Sequence, residues 1–296
     1  ARPKSPQLPH ALAVVFVALT VLIMAYSSLF AVLPILLYFL LWLSMLLVKG
    51  LRLLHPTRAM LMTLAVPILC LLSTAWSTHA AQTLYLGTAF VVFSLCIAVM
   101  NRAVSFRALV EGLVLGLTVT LLITLLSGQY AGDMLDPNPA LVGYFGSKNT
   151  VGFLAELGIV SACTLWFLSR GLMRKLVSTV LPLAVACLCL TLSHSGTALV
   201  SCVVALVATA ALALLSRFPR RLRLLLLLLA GVLGVALIGI ASSIDLEATL
   251  LNALGKDATL TGRTYLWLEG YRIGVESPLI GHGYSAFWVE GEPRAE

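Results

Sequence analysis

The chain has 296 residues, of which 60% are hydrophobic and only 10% charged, and its net charge is +7. Soluble domains carry about 25% charged residues, so these figures exclude a soluble fold. They also turn aside the nucleic-acid partner that a basic chain invites, because the lysines and arginines are spread over several short loops instead of forming one patch.

A helix needs roughly 20 apolar residues to cross a hydrocarbon core ~30 Å thick. The run from Ala11 to Val48 is nearly twice that long, so it predicts two spans that turn at Tyr26-Ser27-Ser28. Because the first apolar run continues directly into another, it suits an uncleaved anchor better than a cleavable signal peptide. Further spans are predicted at Arg58–Trp76, Leu84–Met100, Phe106–Ser127, Thr150–Leu168, Leu176–Leu192, Thr197–Leu215 and Leu222–Ala241, nine in all. Pro67 is expected to kink the third, since its missing N–H must be compensated by neighbouring groups. The cysteines Cys70, Cys96, Cys163, Cys187, Cys189 and Cys202 all fall inside apolar runs, so no structural disulfide is expected. Cys187-x-Cys189 has no His or acidic neighbour in sequence and reads as small apolar residues instead of a metal site.

Orientation follows from the basic residues. With the N-terminus in the cytoplasm, the inside loops hold Arg2, Lys4, Lys49, Arg52, Arg58, Arg102, Arg107, Arg170, Arg174, Lys175, Arg217, Arg220, Arg221 and Arg223. Five remain outside: Lys148, Lys256, Arg263, Arg272 and Arg294. The acidic residues fall outside too, apart from Glu111 and Glu156 within spans. The expected organisation is a transmembrane helical domain over 1–241, then a polar periplasmic segment over 242–296. No internal repeat and no low-complexity linker divides the chain.

Two of the outside cations have chemically suggestive neighbours. Lys148 sits in Tyr144-Phe145-Gly146-Ser147-Lys148-Asn149-Thr150, where Ser147 or Asn149 can cap the sixth span. A helix N-terminus offers free N–H groups and partial positive charge, which suits an anion. Gly152 and Glu156 follow Lys148 at i+4 and i+8 on one helical face, with Glu156 about 12 Å deeper along the axis. An ionisable group in a span is a functional candidate; the alternative is a structural hydrogen bond to a neighbouring helix. Arg263 opens Thr261-Gly262-Arg263-Thr264-Tyr265-Leu266-Trp267-Leu268-Glu269-Gly270-Tyr271, read as a helix capped by Thr261 and ending before Pro278. Arg263, Trp267, Gly270 and Tyr271 share a face. An arginine among aromatics at a membrane surface suits a phosphate, because its planar fork makes paired bonds to oxyanions; the alternatives are pairing with Glu269 or with a lipid headgroup. His194 lies in a tight outside turn, His194-Ser195-Gly196-Thr197, and His282 in the loop Gly281-His282-Gly283. Either can be a plain turn residue. Neither has metal-site spacing, and nothing resembles a nucleotide-binding loop.

Gly262-Arg263, Trp267, Pro278-Leu279-Ile280-Gly281-His282-Gly283 and Phe287 resemble the core signature of the O-antigen ligase and polymerase superfamily. Ser147-Lys148-Asn149 before a span, and Ser193-His194-Ser195-Gly196-Thr197 at an outside turn, resemble its weaker motifs. The resemblance, closest to the O-antigen ligases, implies an all-α, polytopic, GT-C-related glycosyltransferase in the bacterial inner membrane, with a periplasmic helical segment and a periplasmic active site. It implies a donor glycan on undecaprenyl diphosphate, a sugar hydroxyl of lipid A–core as acceptor, and neither cofactor nor metal. Arg263 matches the family's diphosphate-stabilising arginine; Lys148, Asn149, Glu156, His194, Trp267 and Tyr271 are the expected substrate-binding residues. The family's base is a histidine well beyond the Gly-His-Gly loop, so it is expected beyond Glu296, as in a partial chain, and His282 is not assigned to it. The competing readings are a polymerase of the same superfamily, a multi-pass lipid or glycan transporter, and a structural scaffold. Transporters gather polar groups and broken helices near the midplane, whereas these spans are mostly plain apolar runs.

Overall fold

The computed structural model describes residues 7–30, 33–50, 57–132, 138–215, 217–243 and 263–287. Nine helices occupy the predicted spans among the described residues: α1 (His10–Ala25), α2 (Leu33–Lys49), α3 (Arg58–Leu72), α4 (Ala80–Ala103), α5 (Phe106–Ser127), α6 (Lys148–Leu168), α7 (Leu172–Leu192), α8 (Gly196–Leu215) and α9 (Arg220–Ser243). A tenth, α10, covers Arg263–Glu276. Five of them, α4 to α8, are long and apolar enough to cross a membrane, and α1, α2 and α3 belong to shorter apolar stretches. The one departure from an all-helical chain among the described residues is an antiparallel pair of two-residue strands, β1 (Tyr130–Ala131) and β2 (Ala140–Leu141), in the loop before α6.

Local chemistry sets the helix limits. Thr57, Ser105 and Ser147 each accept a hydrogen bond from the N–H three residues on, closing the starts of α3, α5 and α6. Gly128 ends α5 in the left-handed conformation. The Tyr26-Ser27-Ser28 turn is a short 3-10 segment, Ser27–Leu29. Pro67 and Pro182 lie inside α3 and α7, which continue through them.

The chain divides into two compact units, 1–202 with 282–296, and 203–281. In the first unit α5 is the hub, packing on α1, α6 and α7, while α4 packs on α2 and α3. One core joins α1, α2, α4 and α5 around Trp42, Tyr38, Val17 and Val99. Trp42 is fully buried, and its indole N–H donates to the Thr20 hydroxyl at 2.9 Å, so no polar atom is stranded there. Gly112 and Gly116 let α1 and α5 touch backbone to backbone. A Cβ on Gly112 would meet Val17 Cβ at 2.5 Å, and one on Gly116 would meet the Ala18 carbonyl at 2.9 Å. This small-xxx-small spacing is how helices approach closely in lipid, where apolar surface alone gives no drive to associate. The second unit consists of the rest of α8, then α9 and α10. The leucines at the start of α9, such as Leu224, Leu225 and Leu228, are exposed, as lipid-facing positions are.

Candidate functional site

The loop between α5 and α6 is built to present the start of α6. Gln129 accepts from the N–H groups of Val142 and Gly143, both at 3.1 Å, which seats the hairpin above α5. Gly143 has φ +51° and lies so close to α5 that a Cβ would meet Thr124 Cγ2 at 2.6 Å. The 3-10 turn Gly143–Phe145 follows, with Phe145 stacked on Tyr26 at 5.5 Å. Burial raises the Tyr26 phenol above its ordinary pKa, opposed by a hydrogen bond with Thr124 and reinforced by Tyr144, so Tyr26 stays neutral. Gly146, left-handed at φ 62°, then hands the chain to Ser147, the cap of α6.

Lys148 is therefore the first residue of α6, and it lines a polar cavity of about 730 Å³. The hairpin forms one wall, with Asn138 exposed along it; Gly146, Ser147 and Lys148 form the floor; His194 closes the other side. Lys148 and His194 lie far apart in sequence and meet here because the α7–α8 turn packs beside the α6 start. Asn149 makes that join: its side-chain oxygen accepts from the buried Ser195 hydroxyl at 3.0 Å. A Cβ on Gly152 would lie 2.7 Å from Ser195 Cβ and 2.8 Å from Ala198 Cβ, so only glycine lets the segments come this close. Deeper, Glu156 accepts from Ser201 of α8 at 2.6 Å. The face of α6 carrying Asn149, Gly152 and Glu156 is thus turned to the α7–α8 turn and the start of α8. Of the two roles open to Glu156, a hydrogen bond to a neighbouring helix is the one the geometry displays. His194 has a positive φ of 47°, an uncommon conformation for a residue with a Cβ.

The Gly-His-Gly segment has a place in the first unit that sequence reasoning missed. The Thr78 N–H donates to the His282 carbonyl at 3.2 Å, and the Tyr284 N–H donates to Ser73 Oγ at 2.9 Å. Thr83 Oγ1 donates to the Tyr284 carbonyl at 3.0 Å, and the Tyr284 ring stacks on Phe90 at 5.7 Å. Gly283 lies directly against Ser77, where a side chain would not fit. The turn between α3 and α4 is therefore a docking cleft for residues 282–286. The available signal was the run of hydroxyls at Ser73, Thr74, Ser77, Thr78 and Thr83, too many for a bare connection.

In the second unit α10 begins at Arg263, whose backbone alone is described; Thr261, Gly262 and Lys256 lie outside the described residues. Trp267 and Tyr271 are exposed on α10. Glu269, a candidate partner for Arg263, pairs with Arg272 at 2.9 Å. The helix ends at Glu276, and Ser277 ties the following turn by donating from its hydroxyl to the Gly281 carbonyl at 3.1 Å and accepting the Gly281 N–H at 3.0 Å. No group of three or more His, Cys, Asp or Glu that could hold a metal occurs among the described residues.

The apolar helices define a multi-pass membrane protein. Residues 181–295 match the family model described as O-antigen ligase. The match takes in His194, Arg263, Trp267, Tyr271 and His282. The chain is also 34% identical over 283 residues to the exopolysaccharide production protein ExoQ of Rhizobium meliloti (strain 1021), covering 94% of this chain and 64% of that protein. It thus spans less than two thirds of the length of that relative. No solved structure matches it.

Proposed function

We propose that the protein is an O-antigen ligase of the bacterial inner membrane: it transfers a glycan from undecaprenyl diphosphate to a sugar hydroxyl of lipid A–core at the periplasmic face. The observation that carries this reading is the O-antigen ligase family match over residues 181–295. The polar cavity at the start of α6 supports it. Lys148, the helix N-terminus and His194 line one opening, a set suited to an anionic group such as a diphosphate or to glycan hydroxyls. Transfer needs a cation to neutralise the diphosphate as the anomeric bond breaks, and Arg263 is the residue assigned to that role. It also needs a base to take the acceptor proton. Trp267 and Tyr271, exposed on α10, offer apolar faces for sugar rings. Neither nucleotide nor metal enters this scheme.

A second reading has its own support: the relative's name, exopolysaccharide production, fits a polymerase that uses the same kind of donor to extend another lipid-linked glycan. Incubating the purified protein with lipid-linked glycan alone, then with added lipid A–core, separates the two. Product that forms only when the core is present is the expected result. Chain extension without the core would establish the polymerase instead.

A further inference from the structure

A groove of about 390 Å³ lies between α5 and α7, at the end of the bundle opposite the polar cavity, and is floored by the last turn of α6. Each wall is a single helix face with residues at i, i+3 and i+4 or i+7. On α5 the face runs from Glu111 to Val114 and Leu115; on α7 it runs from Arg174 to Val177 and Leu181. Both faces start with a charge near the helix N-terminus and turn apolar over roughly 5–10 Å, at about 1.5 Å per residue. A charged mouth leading into an apolar slot is complementary to a phospholipid lying along the membrane normal.

The charges at the mouth specify the headgroup. The Glu111 carboxylate is already matched, accepting from Arg107 Nε at 2.9 Å and contacting His10 Nε2 at 2.7 Å. The Arg174 guanidinium is not. Arg174 lines the groove and makes no ion pair among the described residues. Arg107 pairs with Glu111 and does not line the groove. A phosphate oxygen is the acceptor that a planar guanidinium fits best. With Glu111 neutralised by Arg107, Arg174 leaves the mouth with one positive charge in excess. We propose that this groove binds one monoanionic phospholipid, its phosphate held by Arg174 and an acyl chain lying between α5 and α7. A zwitterionic lipid would bring a second cation to a mouth that is already net positive. The inference is independent of the glycan-transfer reading.

The test is lipid retention by the purified chain, counted by native mass spectrometry after equilibration with equal amounts of phosphatidylglycerol, phosphatidylethanolamine and phosphatidylcholine. Wild type should retain one phosphatidylglycerol in preference to the other two. Arg174→Gln should lower that retention about 10- to 100-fold, the usual effect of losing a charge-assisted bond, and leave the zwitterionic lipids unchanged. Val177→Trp, at an exposed groove position, should exclude the lipid while the chain still folds. Lys175→Gln is the control, because Lys175 sits over the Trp166 ring at 5.2 Å and does not line the groove; it should behave as wild type. Equal retention of all three lipids, an unchanged Arg174→Gln protein, an equal loss with Lys175→Gln, or displacement of the lipid by excess inorganic phosphate would each overturn the proposal.

Discussion

At the scale of single residues, the departing diphosphate sets the hardest demand, and Arg263 is the group proposed to meet it. Loss of one charge-stabilising donor costs about 100- to 1,000-fold in rate, so Arg263→Ala should be nearly inactive. Arg263→Lys should recover little, since a point charge cannot reproduce a two-pronged contact. Arg272 is the internal control: exposed, three residues from the Glu269 it pairs with, and therefore engaged in a surface ion pair. Arg272→Ala should keep most of its activity. The comparison needs glycan-transfer rates at matched expression and membrane insertion, and an active Arg263→Ala enzyme would falsify the role given to Arg263. The same pair shows what single residues reveal before a structure. Loop position and charge sign led both arginines to be expected outside, and aromatic neighbours singled out Arg263. Which of them takes Glu269 depends on where each side chain emerges from one turn of helix, and composition does not encode that.

At the scale of elements, hydrophobic runs and caps located the helices well. Phe106–Ser127 coincides with its predicted limits, and the 3-10 turn at Ser27–Leu29 falls where the long run had to fold back. Predicted starts at Leu84, Thr150 and Leu176 fall short of the observed Ala80, Lys148 and Leu172, because hydropathy marks the apolar core of a span and passes over its polar first turn. What no run of residues announces is pairing. The docking of residues 282–286 on the α3–α4 turn joins positions about 200 residues apart, and its local sequence reads as loop on both sides. Glycine spacing was a usable signal for pairing: Gly112-xxx-Gly116 marks the α1–α5 contact, and Gly152, on the face shared with Lys148 and Glu156, marks the approach of α6 to the α7–α8 turn. Gly152→Ala should therefore be destabilising by about 1–3 kcal/mol, the usual cost of overpacking a tight contact, and should disturb the Asn149–Ser195 bond that sets the cavity. Gly231→Ala, in α9 with nothing within 4 Å of its Cβ, should cost nothing. Unfolding midpoints in detergent for the two variants measure the difference; equal midpoints would mean that the α6 contact is slack.

At the scale of the whole molecule, the distribution of charge and the distribution of functional groups are one argument. Nine crossings, as expected from the sequence, would divide the loops into two sets. One set holds the Tyr26 turn, the hydroxyl-rich Ser73–Thr83 stretch, the hairpin with Lys148, and the turn with His194. The other holds Lys49, Arg58, Arg102, Arg107, Arg170, Arg174 and Lys175. Lysine and arginine are retained on the cytoplasmic side during insertion, so the first set is expected in the periplasm, where a lipid-linked glycan would be presented. Every link depends on the number of crossings, because one span more or fewer reverses the remaining loops. Accessibility tags therefore test the orientation and the proposed site together. Tags at Lys49 and Arg220 should report the cytoplasm, and tags near Asp133 and Glu290 should report the periplasm. A cytoplasmic signal from the segment after Ser242 would remove both the nine-span topology and the periplasmic placement of Arg263, and the cation would then have to act on a different substrate.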